Sequence, residues 1–312
     1  HCLSKDVILF GKSPLNKQRF KCRECQKTYT WKEKANKHNR EKHWYILWVK
    51  EGYSIRQLSN ISGYSKEKHW LINNYWLKQE PPALPHDIYQ KAKYLLFDGT
   101  YFHKNGCLAT LMDHGAKTIL SYNYIDKESY HNVYPILRDL KERGLDPKVI
   151  TMDGHRFVIQ AIYDVWPDVF IQRCLYHIQR QGLQWLRVFP KTEAGRELRF
   201  ILKIITNIKT EKDKMVFLMT YSDWYYKYRD FIKKLPRDSV ANIDLKKAMG
   251  LINNALPDMF HYIDDPFIAP TTNLLENFYS QLKHHYRRHR GLTERHKIAY
   301  LKWFCYLKNN AN

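Results

Sequence analysis

The spacing of apolar and polar residues in the middle of the chain predicts a mixed α/β domain. Apolar runs at Tyr94–Phe97, Cys107–Met112 and Lys117–Tyr124 predict three consecutive strands. A fourth and a fifth strand are predicted over Lys148–Met152 and Val169–Gln172. Helical periodicity precedes each of these last two strands, over about 130–143 and 156–165. The resulting order, βββαβαβ, indicates one mixed sheet with helices packed on it.

Helical periodicity without strand signals follows the fifth strand. Residues 179–267 contain three amphipathic segments, Glu193–Ile208, Lys212–Leu235 and Leu245–Ala255. We therefore expect an all-α insertion before the chain returns to the sheet with a basic helix that opens at Asn273. The aromatic run Trp224-Tyr225-Tyr226 has two readings, packing between helices or stacking on an unpaired base. Packing is the better of the two.

The first 80 residues predict a separate helical module. Helices are expected over Lys42–Glu51, Ile55–Ser62 and Lys66–Leu77, with Ser54-x-x-Gln57 as a capping box for the second. The glycine turn between the last two helices favours a helix-turn-helix DNA-binding domain over residues 41–80, in which the last helix presents Lys66, Lys68 and Asn73 to DNA. A plain three-helix bundle is the alternative. The proline-rich stretch that follows predicts a linker over residues 81–90.

Charge indicates a polyanionic partner. The chain has 312 residues and a formal net charge of +21, with 44% hydrophobic residues, which excludes a disordered basic tail. Residues 1–90 carry 17 basic and 8 acidic residues, and residues 272–312 carry 8 and 2. Two basic ends therefore flank a nearly balanced middle, a distribution that favours binding to nucleic acid. No apolar run is long enough for a membrane span, so we expect no membrane partner and a cytoplasmic location.

Three cysteines predict a zinc site near the start of the chain. Cys22-x-x-Cys25 offers two thiolates on a tight knuckle, and Cys2 lies at the distance expected of the other pair in a zinc ribbon over residues 1–40. Because the chain starts at His1, the fourth cysteine is expected upstream, which makes the module an incomplete ribbon. Three unliganded thiols are the alternative.

Acidic residues end two of the predicted strands. Asp98 follows the first strand and Asp153 the fourth, and the βββαβαβ order of a ribonuclease-H-like core places these strands side by side. Asp-Gly is also a common turn dipeptide, so each aspartate alone has a turn interpretation. Clustered carboxylates can hold two divalent cations for phosphoryl transfer. Glu276 is the candidate third acid, although Asn273 and Glu276 also fit a capping box. Asp264 and Asp265 compete for the same role.

Four motifs together resemble the DDE transposases of bacterial insertion sequences, Mutator-like group. They are Asp98-Gly-Thr, Asp153-Gly, Cys174-Leu-Tyr-His177 and Thr272-Asn273-x-x-Glu276-Asn277. The Cys-x-x-His motif is the most specific of them. The resemblance implies a ribonuclease-H-like core, residues 91–178 and 268–312, interrupted by the insertion. It further implies that Asp98, Asp153 and Glu276 bind two Mg²⁺ or Mn²⁺ ions, with Cys174 and His177 beside them.

The implied activity is cleavage at transposon ends followed by strand transfer. The expected partners are double-stranded DNA, namely terminal inverted repeats and target DNA, and a second copy of the chain, with the protein associated with the bacterial nucleoid. Candidate phosphate contacts lie on or just after the last basic helix, at Lys283, Arg287, Arg288 and Arg290. A nuclease or resolvase without strand transfer and an inactive DNA-binding derivative remain as alternatives.

Overall fold

The computed structural model describes residues 2, 4–30, 34–102, 106–289 and 291–309, and the side chains of 34–36 are not described. The chain forms two compact units, one extending to Gln79 and the other beginning at Glu80. None of the helices in the described ranges combines the length and apolar character needed to cross a membrane.

The first unit opens with a small antiparallel sheet. Its three strands, paired in the order β1-β2-β3, are β1 (Val7–Lys12), β2 (Gln18–Cys22) and β3 (Thr28–Thr30). Cys22 ends β2 opposite Val7, and the turn that follows carries Cys25. The sheet thus holds the two cysteines of the knuckle close together.

Three helices complete the first unit: α1 (Lys34–Lys50), α2 (Ile55–Ser62) and α3 (Lys66–Leu77). The predicted capping box of α2 is confirmed, because Ser54 Oγ accepts from Gln57 N while Gln57 Oε1 accepts from Ser54 N. Gly63 ends α2 in the left-handed conformation at φ 71°, which a residue without a Cβ adopts readily.

The prediction that the first helix starts at Lys42 is wrong by about two turns. The segment before it has no apolar stripe, which is why periodicity missed it. This extension includes Glu41, whose carboxylate accepts a hydrogen bond from Lys68 Nζ of α3 at 2.6 Å. The module is held together by buried Tyr45, Trp48 and Ile72 on helices that pack against each other.

The second unit is built on a five-stranded mixed sheet, as the sequence predicts. Its strands are β4 (Tyr94–Tyr101), β5 (Cys107–Asp113), β6 (Thr118–Ile125), β7 (Val149–Met152) and β8 (Phe170–Arg173). Their order is β6-β5-β4-β7-β8. β5 is antiparallel to both of its neighbours, whereas β4, β7 and β8 are mutually parallel. The carboxyl ends of β4, β6, β7 and β8 therefore point to the same edge of the sheet.

Helices cover the sheet and form its main core. These are α4 (His86–Lys91), α5 (Tyr130–Glu142) and α6 (Arg156–Val165). Side chains from α5 and α6, such as Leu137 and Ile162, are buried against Ile150 and other apolar residues of the strands. The predicted linker over 81–90 is only partly a linker, because α4 begins within it and buries Tyr89 in this core.

After β8 the chain is helical as far as Asp264. The helices are α7 (Leu175–Trp185), α8 (Glu193–Ile204), α9 (Glu211–Lys234), α10 (Val240–Ala255) and α11 (His261–Asp264). They enclose a second core, in which Trp224 is buried and its Nε1 donates to Ala194 O at 2.9 Å. The packing interpretation of Trp224 is therefore confirmed.

The last two helices return to the sheet. They are α12 (Asn273–Tyr286) and α13 (Glu294–Asn309). α13 lies against β6, where the Asn309 side chain pairs with both backbone groups of Ile119 at 2.8 Å. α12 contacts β4, and its Tyr279 hydroxyl donates to Asp98 O at 2.6 Å. These contacts fix the start of α12 beside the carboxyl edge of the sheet.

Candidate active site

Asp98 lies on β4, and Asp153 directly follows the adjacent parallel strand β7. β4 and β7 are in register from Tyr94 opposite Val149 to Leu96 opposite Thr151, and each aspartate stands two residues beyond that last pair. Neighbouring strands are about 4.8 Å apart, so the two carboxylates share one edge. The prediction that Asp98 ends its strand is wrong, because the ladder with β5 continues beyond it and pairs it with Thr110.

Backbone amides orient both carboxylates. Asp98 Oδ1 accepts from Gly99 N at 2.9 Å, and Asp153 Oδ1 accepts from His155 N at 3.0 Å. Among the described residues, no hydrogen bond is formed to the second oxygen of either carboxylate. The bond from Tyr279 to the Asp98 carbonyl holds the strand itself in place.

The Asp153-Gly154 turn is pressed against a buried arginine. Arg173, which ends β8, is 7% exposed, and a Cβ built on Gly154 would overlap its guanidinium. Burial lowers the pKa of Arg173, while the charge of Asp153 acts in the opposite direction. Arg173 thus places a positive charge next to Asp153. Sequence reasoning missed this residue, whose only signal was a charged residue at the end of an apolar strand.

We expect Gly154→Ala to disturb the site strongly. The new methyl group must displace the buried guanidinium, so stability should fall by about 1–3 kcal/mol, and the turn that carries Asp153 should shift. The matched control is Gly250→Ala on α10, where a Cβ meets nothing within 4 Å. In this helix the substitution should be neutral or stabilise by up to about 1 kcal/mol. Thermal denaturation of both variants measures the difference, and equal melting temperatures would contradict the packing argument.

Glu276 lies in the first turn of α12. Its backbone N–H donates to Thr272 O at 3.1 Å, but no side chain caps this helix. The alternative that Asn273 and Glu276 form a capping box is therefore wrong: Thr272 is the N-cap and Asn273 is already helical. The Glu276 carboxylate instead lies 3.5 Å from His177 Nε2.

Cys174 and His177 join the start of α7 to the start of α12. Cys174 is fully buried, and its Sγ accepts from Thr272 N and Oγ1 at 3.3 and 3.4 Å. Thr272 Oγ1 also lies 3.4 Å from His177 Nδ1. A further bond, Leu175 N to Pro270 O at 3.0 Å, ties the same two segments together. The Cys-x-x-His pair therefore anchors the segment that presents Glu276.

Electrostatics favour a cationic His177. Burial alone would lower its pKa, but the hydrogen bond and charge of Cys174 and the charges of Asp98 and Asp153 raise it to about 9. Burial would raise the pKa of the Cys174 thiol, yet its bonds with His177 and Thr272 hold it below its usual value. His177 thus supplies positive charge to a group of acids.

A fourth acid, Glu128, lies at the edge that carries Asp98 and Asp153. It is not among the acids predicted from the sequence. It lies beyond the carboxyl end of β6, and its carboxyl carbon lies 2.6 Å from the position of a Cβ on Gly99, the residue after Asp98. Burial, then the charges of Asp153 and Asp98, raise the pKa of Glu128 to about 7. Nothing in the local sequence distinguishes this residue from a polar loop residue before a helix.

The crowded acids disfavour their own ionisation. Burial raises the pKa of Asp98 to about 7, with Asp153 and Glu276 adding to the rise and His177 opposing it. Oxygen-rich, anionic donors of this kind suit Mg²⁺ or Mn²⁺, which would relieve the repulsion. Asp98, Asp153 and Glu276 therefore have the chemistry to hold such cations.

The competing acids lie elsewhere. Asp264 and Asp265 border a cavity of about 590 Å³ that is lined by Val149 and Phe170, the first residues of β7 and β8. Asp265 accepts from Tyr94 at the start of β4. Both acids therefore lie at the amino ends of the parallel strands, the edge opposite Asp98 and Asp153.

The predicted DNA contacts of α12 lie on and just after its last turn. Lys283 is partly buried, and burial and Arg287 lower its pKa while the charge of Asp98 raises it. Arg287 and Arg288 are exposed, and Arg288 Nη2 lies 3.0 Å from His284 Nε2. Arg290 lies outside the described residues. Of these residues, Lys283 is the one whose pKa responds to the charge of Asp98.

Two of the three DNA contacts predicted on α3 are not freely exposed to solvent. Asn73 is fully buried, so the expectation that its amide is available to DNA is wrong. Periodicity failed here because the helix buries a polar residue beside Ile72. Lys68 is paired with Glu41, and Lys66 is exposed. Of the three candidates, Lys66 is the one most open to a phosphate.

Three thiols converge in the first unit. The Sγ atoms of Cys2, Cys22 and Cys25 all lie within 4.8 Å of one another, and those of Cys2 and Cys22 are 3.5 Å apart. Hydrogen bonding from the Cys25 backbone lowers the pKa of the Cys22 thiol to about 7, which favours the thiolate that a metal binds.

Comparison with known proteins adds one clear match. A family model described as "Transposase, Mutator family" matches residues 99–290, a range that includes Asp153, Cys174, His177 and Glu276. No curated protein matches the sequence.

Two solved structures are similar at a low level. A chain of the Drosophila P element transposase strand transfer complex is 12% identical over 93% of this chain and 94% of that chain, with a TM-score of 0.35. A chain of the simian T-cell lymphotropic virus intasome in complex with PP2A regulatory subunit B56 gamma is 14% identical over 65% and 66%, with a TM-score of 0.22. Likenesses this remote carry no argument about the site.

Proposed function

The chain belongs to the Mutator family of transposases, and we propose on this premise that it cleaves DNA at transposon ends and transfers the freed strand to target DNA by a DDE mechanism. The observation that supports the proposal best is that Asp98 and Asp153 share one edge of the sheet and that His177, whose pKa responds to both, lies 3.5 Å from Glu276. The strand order β6-β5-β4-β7-β8 supports a ribonuclease-H-like core for residues 91–178 and 268–312. Residues 179–267 would be an all-α insertion into this core.

The three acids would hold two Mg²⁺ or Mn²⁺ ions. When bound, such ions supply activation of a water or 3′-hydroxyl nucleophile and stabilisation of the leaving oxygen. The contribution of the chain is to orient the three carboxylates before metal binds. Asp98 and Asp153 are oriented by backbone amides, and Glu276 by the helix start that Cys174 and Thr272 anchor.

Two cations of the chain itself would act at this edge, His177 on the acids and Lys283 on a phosphate. His177, charged at neutral pH, faces Glu276 and balances the acids when no metal is bound. Lys283, whose pKa responds to Asp98, would neutralise a phosphate that enters the edge. Arg287 and Arg288 would extend the contact along the duplex.

The basic first unit would bind the transposon ends. We propose that α2 and α3 form a helix-turn-helix within residues 41–80, with Lys66 as a phosphate contact. The net charge of +21 supports double-stranded DNA as the partner. Joining two ends would require two copies of the chain on DNA.

We further propose that Cys2, Cys22 and Cys25 in residues 1–40 are three of the four ligands of a structural zinc ion. Elemental analysis of the purified protein should find about one zinc per chain, and Cys22→Ser should lose nearly all of it. Glu24→Gln, an exposed substitution between the two knuckle cysteines, should retain the metal. Equal zinc contents in the two variants would contradict the zinc site.

A strand-transfer assay tests the function. Labelled, pre-cleaved ends of the element that encodes this chain are incubated with a supercoiled plasmid and Mg²⁺ or Mn²⁺, with EDTA as the blank. Joined products that require the metal are expected. Nicking without joining would identify a nuclease or resolvase, and binding without either would identify an inactive DNA-binding derivative.

A further inference from the structure

Glu128 reaches the proposed catalytic edge from a different strand than the other acids. It follows β6, which is separated from β4 by β5, so its side chain has to cross the first residue of β5 to approach Asp98. It does so: Glu128 Cδ and Cys107 Sγ lie 2.6 and 2.8 Å from where a Cβ on Gly99 would stand. The missing side chain of Gly99 is what gives the carboxylate its place beside the backbone of Asp98.

The carboxylate of Glu128 has no structural task within the described residues. No hydrogen bond or ion pair of its side chain is formed there, and α5, which begins two residues later, has no side-chain cap. Buried acids that serve the fold are paired with donors or cations, because an uncompensated buried charge is strongly destabilising. Glu128 is instead partly buried near Asp98 and Asp153, with His177 as the cation that acts against the rise of its pKa.

We propose that Glu128 is a fourth carboxylate ligand of the divalent cations at this edge, in addition to Asp98, Asp153 and Glu276. A cation held by Glu128 together with the other acids of this edge would supply the partner that the side chain lacks, and it would reduce the repulsion between the acids. The inference rests on the proposed function, because it assumes that the edge binds metal.

Mn²⁺ binding to the full chain tests the role without relying on activity. Titration of metal-stripped protein, followed by calorimetry or by the loss of the free Mn²⁺ electron-spin signal, gives the affinity. Glu128→Gln should weaken Mn²⁺ binding by roughly 10- to 100-fold. Glu128→Asp keeps the negative charge on a side chain that is one methylene shorter, so it should weaken binding by less. Glu142→Gln on α5, an exposed glutamate paired with Arg138, is the matched control and should bind as the wild type does.

The melting temperature of the metal-free protein separates a ligand from a structural residue. Glu128→Gln should raise it, since the substitution removes repulsion and breaks no bond. A lower melting temperature for this variant, or unchanged Mn²⁺ affinity while Asp98→Asn loses the metal, would overturn the assignment and leave the proposed function intact. If the wild type itself neither binds Mn²⁺ nor cleaves DNA, the proposed function fails and the role of Glu128 fails with it.

Discussion

Asp98→Asn should abolish metal-dependent cleavage and joining, with rates at least about 1,000-fold below the wild type. The amide is the same size as the carboxylate, and its oxygen can still accept from Gly99 N, so the geometry of β4 is kept. The substitution removes the negative charge of Asp98. This charge interacts with those of Asp153, Glu276 and His177 at the acidic edge. A nicking assay on a supercoiled plasmid bearing the element's ends measures the loss.

The same variant should be more stable than the wild type when metal is absent. Replacing a carboxylate whose ionisation is disfavoured removes repulsion, so the melting temperature of the EDTA-treated protein should rise. This separates loss of catalysis from loss of folding. Asp238→Asn, at an exposed position between α9 and α10, is the control and should change neither quantity. Wild-type rates in Asp98→Asn would show that Asp98 does not belong to the active site.

The pairing of Asp98 with Asp153 could be predicted because it depends on local patterns. The apolar runs predict where the strands start, and the βββαβαβ order predicts which strands are neighbours. The end of the first strand could not be read in the same way. Gly99 looks like a turn residue in the sequence, but the ladder with β5 runs past it, and in fact its missing side chain leaves room for Glu128.

The residues that sequence reasoning missed are those whose roles arise from long-range contacts. Glu128 and Arg173 reach the edge across neighbouring strands or turns, and no spacing rule connects them with Asp98 or Asp153. For Asn73 the error is the opposite one: polarity and helical position predict an exposed side chain, but packing buries it. Helical periodicity reports the average face of a helix and not the environment of one side chain.

The Cys-x-x-His motif illustrates how a short pattern can act at a distance. Cys174 is the N-cap of α7, yet its partner is Thr272, the N-cap of α12, which lies 98 residues further along the chain. The thiol of Cys174, the hydroxyl of Thr272 and the imidazole of His177 therefore connect the two ends of the all-α segment. The two helix starts are thus bonded directly to each other, which fixes the start of the helix that carries Glu276.

The stability of the metal-free protein should fall as the pH rises from 6 to 8. Asp98 and Glu128 have pKa values of about 7 in the folded chain, above the ordinary values near 4, so the native state holds protons that the unfolded state has already released. Stability from these groups is complete below pH 4 and is lost as the pH passes 7. His177, with a pKa raised to about 9, adds to the loss at the upper end. The melting temperature should drop by roughly 5 °C over this interval.

Saturating Mn²⁺ should reverse the trend, because the cation binds the deprotonated acids and competes with their protons. Below pH 7 the affinity for Mn²⁺ should weaken by up to about 100-fold for each pH unit, since two protons are displaced. Melting curves with and without Mn²⁺ at pH 6, 7 and 8 measure both slopes, and Asp98→Asn is the control that should make each of them shallower. A metal-free protein whose stability rises between pH 6 and 8 would mean that these acids are not crowded in solution, and the argument for a cation at this edge would lose its electrostatic basis.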